Sequence, residues 1–256
     1  MNSFTIKSYA KINLALNVIG KKTKLHKIES IVSFIDLHDL INLKKINKKY
    51  HKVIFRGKFS KNISNINTVT ILLKLLDNKN LLNNQKFEIK IFKNIPQESG
   101  MGGGSMNAAS LINFFMNKKL IKIKNNELKM LTSQIGSDVI LGIKPANTIL
   151  FHNGDIKKYN TKIKFYTLVV KPNFGCSTKY IYSKVKKFSK PQFNIAHSKM
   201  LTPEYLKTLN NALENIAFKK YPKLKIIKLF LANMPNNIFT RMSGSGSTII
   251  AYFDSK

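Results

Sequence analysis

"IPQESGMGGGSMNAAS", residues 95–110, fills four of the five positions from Gly100 to Gly104 with glycine, Met101 being the exception. Upstream, "FEIKIFKNI" (87–95) alternates apolar and polar residues as a strand does; downstream, "NAASLINFFMNKKL" (107–120) has helical spacing and predicts a helix over 105–117. A strand, a glycine turn and a helix start make an anion site. The first N–H groups of a helix lack intrahelical partners, and its dipole favours each nearby negative charge by about 0.3–1 kcal/mol. Glycines let the backbone close on phosphate oxygens without Cβ clashes. The loop is neither a Walker A sequence nor a dinucleotide G-x-G-x-x-G. Glycine richness alone fits a ligand-free flexible loop equally well.

Composition bounds the alternatives. With 256 residues, 43% of them hydrophobic, the chain can bury a sizeable core as one large domain or two smaller ones. No run approaches the length of a membrane span, and "MNSFTIKSYAKINLAL" (1–16) alternates like a strand where a signal peptide would be continuously apolar. The single cysteine, Cys176, excludes an internal disulfide and points to a reducing cytoplasm; with no transit peptide in view, a bacterial one is expected. The formal charge is +32, and all but two of the 44 Lys and Arg residues are lysine, the exceptions being Arg56 and Arg241. That charge suits a nucleic-acid partner, but the lysines are scattered, base-reading arginines are scarce, and AT-rich coding bias explains Lys, Asn and Ile together. A basic surface also attracts an anionic small molecule.

Along the chain, strand patterns cover 3–19, 39–46 and 51–57, followed by a helix in "NTVTILLKLLDNKN" (67–80) with Asn67 as its cap. After the glycine loop comes a second amphipathic helix, "NNELKMLTSQIG" (125–136), closing at Gly136. Strands are expected at 147–153 and 163–171, a mostly helical stretch from Ser177 through "LKIIKLFLAN" (224–233), and a final hairpin in "NIFTRMSGSGSTIIAYF" (237–253). No internal repeat is present. The fold class is α+β, with two lobes, 1–160 and 161–256.

Four segments recur in a telling order: "SYAKINLALNVIG" (8–20), the glycine loop, "IGSDVILG" (135–142) and "RMSGSGSTIIAYF" (241–253). They resemble the successive motifs of the GHMP small-molecule kinases, and within them most closely the 4-diphosphocytidyl-2-C-methyl-D-erythritol kinase family. Its patterns are P-A-K-[IL]-N-L, G-L-G-G-G-S-S-N-A-A and G-A-D-V-P, and the triple glycine before Ser-x-Asn-Ala-Ala is the most specific part. The resemblance covers nearly the whole chain. It implies a two-lobe GHMP kinase fold, with an N-terminal lobe like ribosomal protein S5 domain 2 and a ferredoxin-like C-terminal lobe. It also implies phosphorylation of the 2-hydroxyl of 4-diphosphocytidyl-2-C-methyl-D-erythritol by ATP, with Mg2+ inferred from the reaction, in the methylerythritol phosphate route to isoprenoid precursors.

By that resemblance Lys11 and Asp138 are catalytic, Asp138 accepting or orienting the hydroxyl proton and Lys11 steadying the developing charge. ATP falls to Pro96, Gln97, Glu98, Ser99, Gly100, Met101, Gly102, Gly103, Gly104, Ser105, Met106 and Asn107. Asn13, His26, Thr178 and Tyr182 fall on the substrate side; no metal ligands are recognisable. Asp138 is one of only 12 acidic residues, set between "IG" and "VILG", and a helix N-cap role explains it as well. His26 alone could equally be structural, and "SGSGS" (243–247) a plain hairpin turn.

The chain departs from the family pattern in places. Leu25 takes the place of a stacking tyrosine, Glu98 that of a small loop residue, and Met106 that of a second serine, leaving Ser105 as the hydroxyl contact. "NALE" (211–214) stands for N-D-L-E, and the chain stops at "AYFDSK" (251–256), where the family pattern continues through another helix and strand, implying a shortened C-terminal lobe. Two alternatives stay open: a GHMP kinase for another alcohol, of homoserine or mevalonate type, and a basic RNA-binding protein of the same ribosomal fold.

Overall fold

A computed structural model describes residues 3–22, 25–160, 165–193 and 197–255. The chain divides into two compact units, neither of them one continuous stretch: Met1–Lys11, Ile35–Gln97 and Gly102–Pro145 form the first, and Ile12–Phe34, Glu98–Met101 and Ala146–Lys256 the second. Strands β1 (Ser3–Lys22) and β2 (Leu25–Ile46) pair with each other and contribute to both. No described helix is long and apolar enough to cross a membrane.

In the first unit, β3 (Lys52–Arg56), α1 (Thr68–Asn78) and β4 (Lys86–Phe92) follow β2. Then come α2 (Gly103–Asn117), α3 (Asn125–Ile135) and a 3₁₀ turn, Val139–Gly142. β4 lies between β2, to which it is antiparallel, and β3, to which it is parallel. Its alternate residues Phe87, Ile89 and Ile91 are buried in one core with Leu72 and Leu76 of α1 and Ala108, Leu111 and Phe115 of α2. Asn67 caps α1 as its position predicts. Its side chain accepts the N–H groups of Val69 and Thr70, and Thr70 Oγ1 accepts the Asn67 N–H. α3 does close at Gly136, in extended backbone with φ 169° instead of the left-handed glycine turn.

The second unit holds β5 (Asn147–Leu150), antiparallel to β2, and β6 (Ile156–Tyr159), antiparallel to β5. Strand β7 (Tyr166–Val170) and helices α4 (Thr178–Ser183), α5 (Pro203–Thr208), α6 (Glu214–Lys220) and α7 (Pro222–Ala232) follow. β8 (Asn237–Met242) and β9 (Ile249–Phe253) make the expected hairpin, with β7 on the other side of β9. Leu16 and Val18 of β1 pack with Ile181, Leu213, Leu224, Leu231 and Ile249.

Two sequence expectations are corrected, and one strand, β6, was not expected. β2 begins at Leu25, far upstream of the expected 39: Glu29, Ser30, Ile31 and Val32 are all buried, so a strand covered on both faces hides its alternation. β6 is too short to show a period. The helical stretch after Ser177 is not continuous, because Pro203 and Pro222 each lie in a first turn, where proline starts a helix and cannot continue one. Of the strand expected over 163–171, residues 163 and 164 lie outside the described residues.

One titratable cluster contributes to the pH dependence of the first unit. His51 Nδ1 accepts the Phe87 N–H at 3.1 Å, so Nε2 carries the proton and donates to Asp77 at 3.2 Å, while Lys86 donates to Asp77 at 2.7 Å. Burial lowers the His51 pKa from 6.5, outweighing the pull of Asp77. Burial pushes the Asp77 carboxyl up, but the hydrogen bonds from Lys86 and His51 win and hold it below its ordinary 3.8. Both folded values are depressed, so both groups stabilise the fold above their unfolded values and lose that contribution as pH falls through the folded ones. The urea midpoint should therefore fall from pH 7 to pH 5, and His51→Gln should flatten that slope. An unchanged slope in the variant would exclude His51 as its source.

Candidate active site

In the first unit, α2 starts without a side-chain cap. Its N-cap, Gly102, has φ +65° and ψ 18°, and the helix's first i to i−4 bond runs from Met106 N–H to Gly102 O at 2.9 Å. The N–H groups of Gly103, Gly104 and Ser105 thus precede the hydrogen-bonded turns and face outward. A Cβ at Gly102 would stand 2.8 Å from Lys11 Cγ and 2.9 Å from Cε, so the lysine stem lies against this bare backbone. Lys11 Nζ ends 2.9 Å from Asp138 Oδ2. The lysine side chain is only 6% exposed and the aspartate 32%, which leaves the carboxylate open to an incoming group. Asp138 occupies the N-cap position of the 3₁₀ turn but makes no capping hydrogen bond; its side chain goes to Lys11 instead.

Further residues of the loop divide by environment. Ser105 Oγ lies 3.7 Å from where a Gly136 Cβ would stand, two residues before Asp138. Asn107 is buried and its Oδ1 has no hydrogen-bond partner among the described residues, an unusual cost for a polar atom one turn into the helix. Met106 turns into the core against Gly142, and its N–H is spent inside the helix. Pro96 is half-buried, and Gln97 Nε2 donates to Lys61 O at 2.7 Å and Phe59 O at 3.2 Å.

In the second unit, residues 98–101 lie on the β8–β9 turn. Gly100 O accepts Ser243 Oγ at 2.9 Å, and Ser99 O and Glu98 O accept the N–H groups of Thr248 and Ser247. Ser99 and Met101 are buried. Glu98 is exposed with φ +48°, and its carboxylate lies over Gly175, where a Cβ would meet Oε2 at 2.4 Å. Burial, with that carboxylate second, lifts the Cys176 thiol to about 11, so this cysteine stays an unreactive thiol. On the same turn, Ser243 Oγ accepts the Asn13 N–H at 3.2 Å, and Asn13 Nδ2 donates to Ser30 Oγ at 2.8 Å. Thr178 Oγ1 and Ser245 Oγ are 2.9 Å apart.

The His26 and Tyr182 rings meet with centroids 5.1 Å apart and planes tilted by 39°. Burial, then the nearby Lys21 charge, holds the His26 pKa below 6.5, which keeps the imidazole neutral, one nitrogen a donor and the other an acceptor. Leu25 lies in β2, but its side chain falls outside the described ones. Sequence reasoning passed over Ser30 and Ser243 as individual residues. Ser30 carries no signal in the strand pattern, whereas Ser243 sat inside the quoted "SGSGS". No group of three or more His, Cys, Asp or Glu side chains arranged for a metal occurs among the described residues.

Comparison with known proteins joins these features to a family. The model of the GHMP kinases N terminal domain matches residues 67–149, which span α1 to β5 and include the whole of α2 and Asp138. The 4-diphosphocytidyl-2-C-methyl-D-erythritol kinase of Pelagibacter ubique is 68% identical over all of this chain and 91% of that relative. The enzyme of that name from Clostridium botulinum is 33% identical over 97% of this chain and 90% of its own length. The fold agrees: a crystal structure of 4-(cytidine 5'-diphospho)-2C-methyl-D-erythritol kinase superposes with a TM-score of 0.77 at 21% identity, over 97% of this chain and 89% of that one. A chain with the glycine loop, the Lys11–Asp138 pair and this identity along its full length belongs to the 4-diphosphocytidyl-2-C-methyl-D-erythritol kinase family of the GHMP kinases.

Proposed function

We infer that the protein transfers the γ-phosphoryl group of ATP to the 2-hydroxyl of 4-diphosphocytidyl-2-C-methyl-D-erythritol, a step of the methylerythritol phosphate route. The observation that carries the mechanism is the 2.9 Å pair of Lys11 and Asp138 beside the uncapped start of α2. The backbone N–H groups of Gly103 to Ser105 hold phosphate oxygens, with the helix dipole adding to them. Asp138 takes the hydroxyl proton as that oxygen bonds to the γ-phosphorus. The bond to the bridging oxygen breaks, and its electrons leave with ADP. Lys11, fixed by its stem against Gly102, offsets the negative charge shared between the attacking oxygen and the phosphoryl group.

Mg2+ fits this arrangement as an ion carried mainly by the triphosphate, since such sites need only one or two protein oxygens. Ser105 would hold it together with the phosphate oxygens, and it would supply screening of the phosphate charge. The neutral His26 and the Tyr182 ring take the cytosine, while Asn13 and Thr178 take polar groups of the substrate. The working division along the chain is an N-terminal lobe, 1–160, carrying the ATP loop and a C-terminal lobe, 161–256. The setting is the bacterial cytoplasm, where both substrates are small anions drawn by the basic surface, and nucleic acid is not a partner.

The test is ADP release from MgATP with the cytidine diphosphate alcohol, homoserine or mevalonate, each against no alcohol. Release with the first, at least about tenfold above the other two, is expected from a site built to pair a base. Faster release with homoserine or mevalonate would reassign the alcohol. RNA binding that falls steeply with salt, without nucleotide binding, would overturn the reading altogether.

A further inference from the structure

We propose that Asp39 is a positioning residue for the nucleotide site, holding the turn from which the glycine loop departs. The inference rests on the reading of that loop as an ATP site. Asp39 is 0% exposed, and this one carboxylate ties three consecutive residues. Oδ1 accepts the N–H groups of Asn94 at 2.7 Å and Ile95 at 2.8 Å, and Oδ2 accepts the ammonium of Lys93, itself buried. Asn94 Nδ2 returns to His38 O at 3.0 Å, closing the turn onto β2.

What the turn supports is the start of α2. A Cβ at Gly103 would stand 2.9 Å from Ile95 Cγ2 and 3.2 Å from Lys93 Nζ, so these two side chains form a floor under the first helical residue with no slack. The Lys93 ammonium is a cation at a helix N-terminus, the wrong sign for the helix dipole, and Asp39 offsets it. A buried carboxylate is costly to desolvate unless fully hydrogen-bonded, and the three donors meet that need. The sequence gives no sign of this: Asp39 lies 56 positions before Ile95, and only the pairing of β2 with β4 brings them together. Asp39 touches no reacting group. It acts by fixing the direction of the Gly103, Gly104 and Ser105 N–H groups, which bear on the nucleotide and not on the alcohol.

Removing Asp39 alone would strand a buried lysine, so the test compares two charge-free pairs. Asp39→Asn with Lys93→Met keeps a carbonyl to accept the turn N–H groups; Asp39→Ala with Lys93→Met does not. ADP affinity by calorimetry, KM for ATP, KM for the alcohol, and urea midpoint are measured for both. The Ala pair should bind ADP about tenfold more weakly than the Asn pair, with KM for ATP rising in step. KM for the alcohol should stay within about twofold. Equal ADP affinities, even with a lower urea midpoint for the Ala pair, overturn the proposal and leave Asp39 a purely structural residue. Wild-type protein that binds ADP but transfers nothing to any alcohol overturns the substrate reading, while the ADP comparison still decides Asp39.

Discussion

Asp138→Asn lowers kcat by about 10²–10⁴-fold, the range lost when a positioned proton acceptor is removed, and leaves the fold in place. Asparagine keeps the shape of the side chain and a hydrogen bond to the Lys11 ammonium, 2.9 Å from the carboxylate in the wild type, but it does not accept the hydroxyl proton and carries no charge. The stability cost is small. Asp138 is about a third exposed, and the asparagine carbonyl still accepts a hydrogen bond from the Lys11 ammonium, so the buried lysine is not stranded. ADP affinity should hold or improve, because a negative charge near the polyphosphate is gone. Single-turnover kinetics with saturating MgATP separate the chemical step from binding. A variant with the wild-type urea midpoint and a kcat within about threefold of wild type would remove Asp138 from the chemistry.

Gly100→Ala is the largest expected loss of stability. Gly100 has φ +75°, where an L side chain costs about 1–2 kcal/mol. The added Cβ would also stand 2.0 Å from Ser243 O and 3.1 Å from Gly246 O. Both obstacles are backbone of the β8–β9 turn, so no rotamer change relieves them, and Gly100 O already holds Ser243 Oγ at 2.9 Å. A total of about 3–5 kcal/mol is expected, visible as a large fall in the urea midpoint and in ADP affinity. Gly154→Ala is the control: φ is +89° there too, but none of the described residues lies within 4 Å, so only the backbone term of about 1–2 kcal/mol applies. Equal losses at the two sites would mean that the turn yields to the methyl group.

Local signals carried much of this fold. The α1 cap at Asn67, the span of α2, the end of α3 and the β8–β9 hairpin each depend on residues within a few positions of one another, so spacing reveals them. β2 upstream of 39 failed for the opposite reason: burial on both faces, a tertiary outcome, erased its period. The helices after Ser177 were legible as helical composition but not as separate pieces, because where each begins depends on tertiary packing as well as on Pro203 and Pro222.

For the site, sequence alone was enough to mark an anion loop, a scarce aspartate and a lysine in a motif, because glycine tolerance and charge are properties of the residue itself. It could not say that Asp138 pairs with Lys11 instead of capping a helix, since the two lie 127 positions apart along the chain. Nor could it show that Glu98 folds over Gly175, that Asn13 is held between Ser30 and Ser243, or that Asp39 supports the floor of α2. Hydrogen bonds and ion pairs act over about 3 Å, and which groups come that close is decided by strand pairing and packing, not by order along the chain.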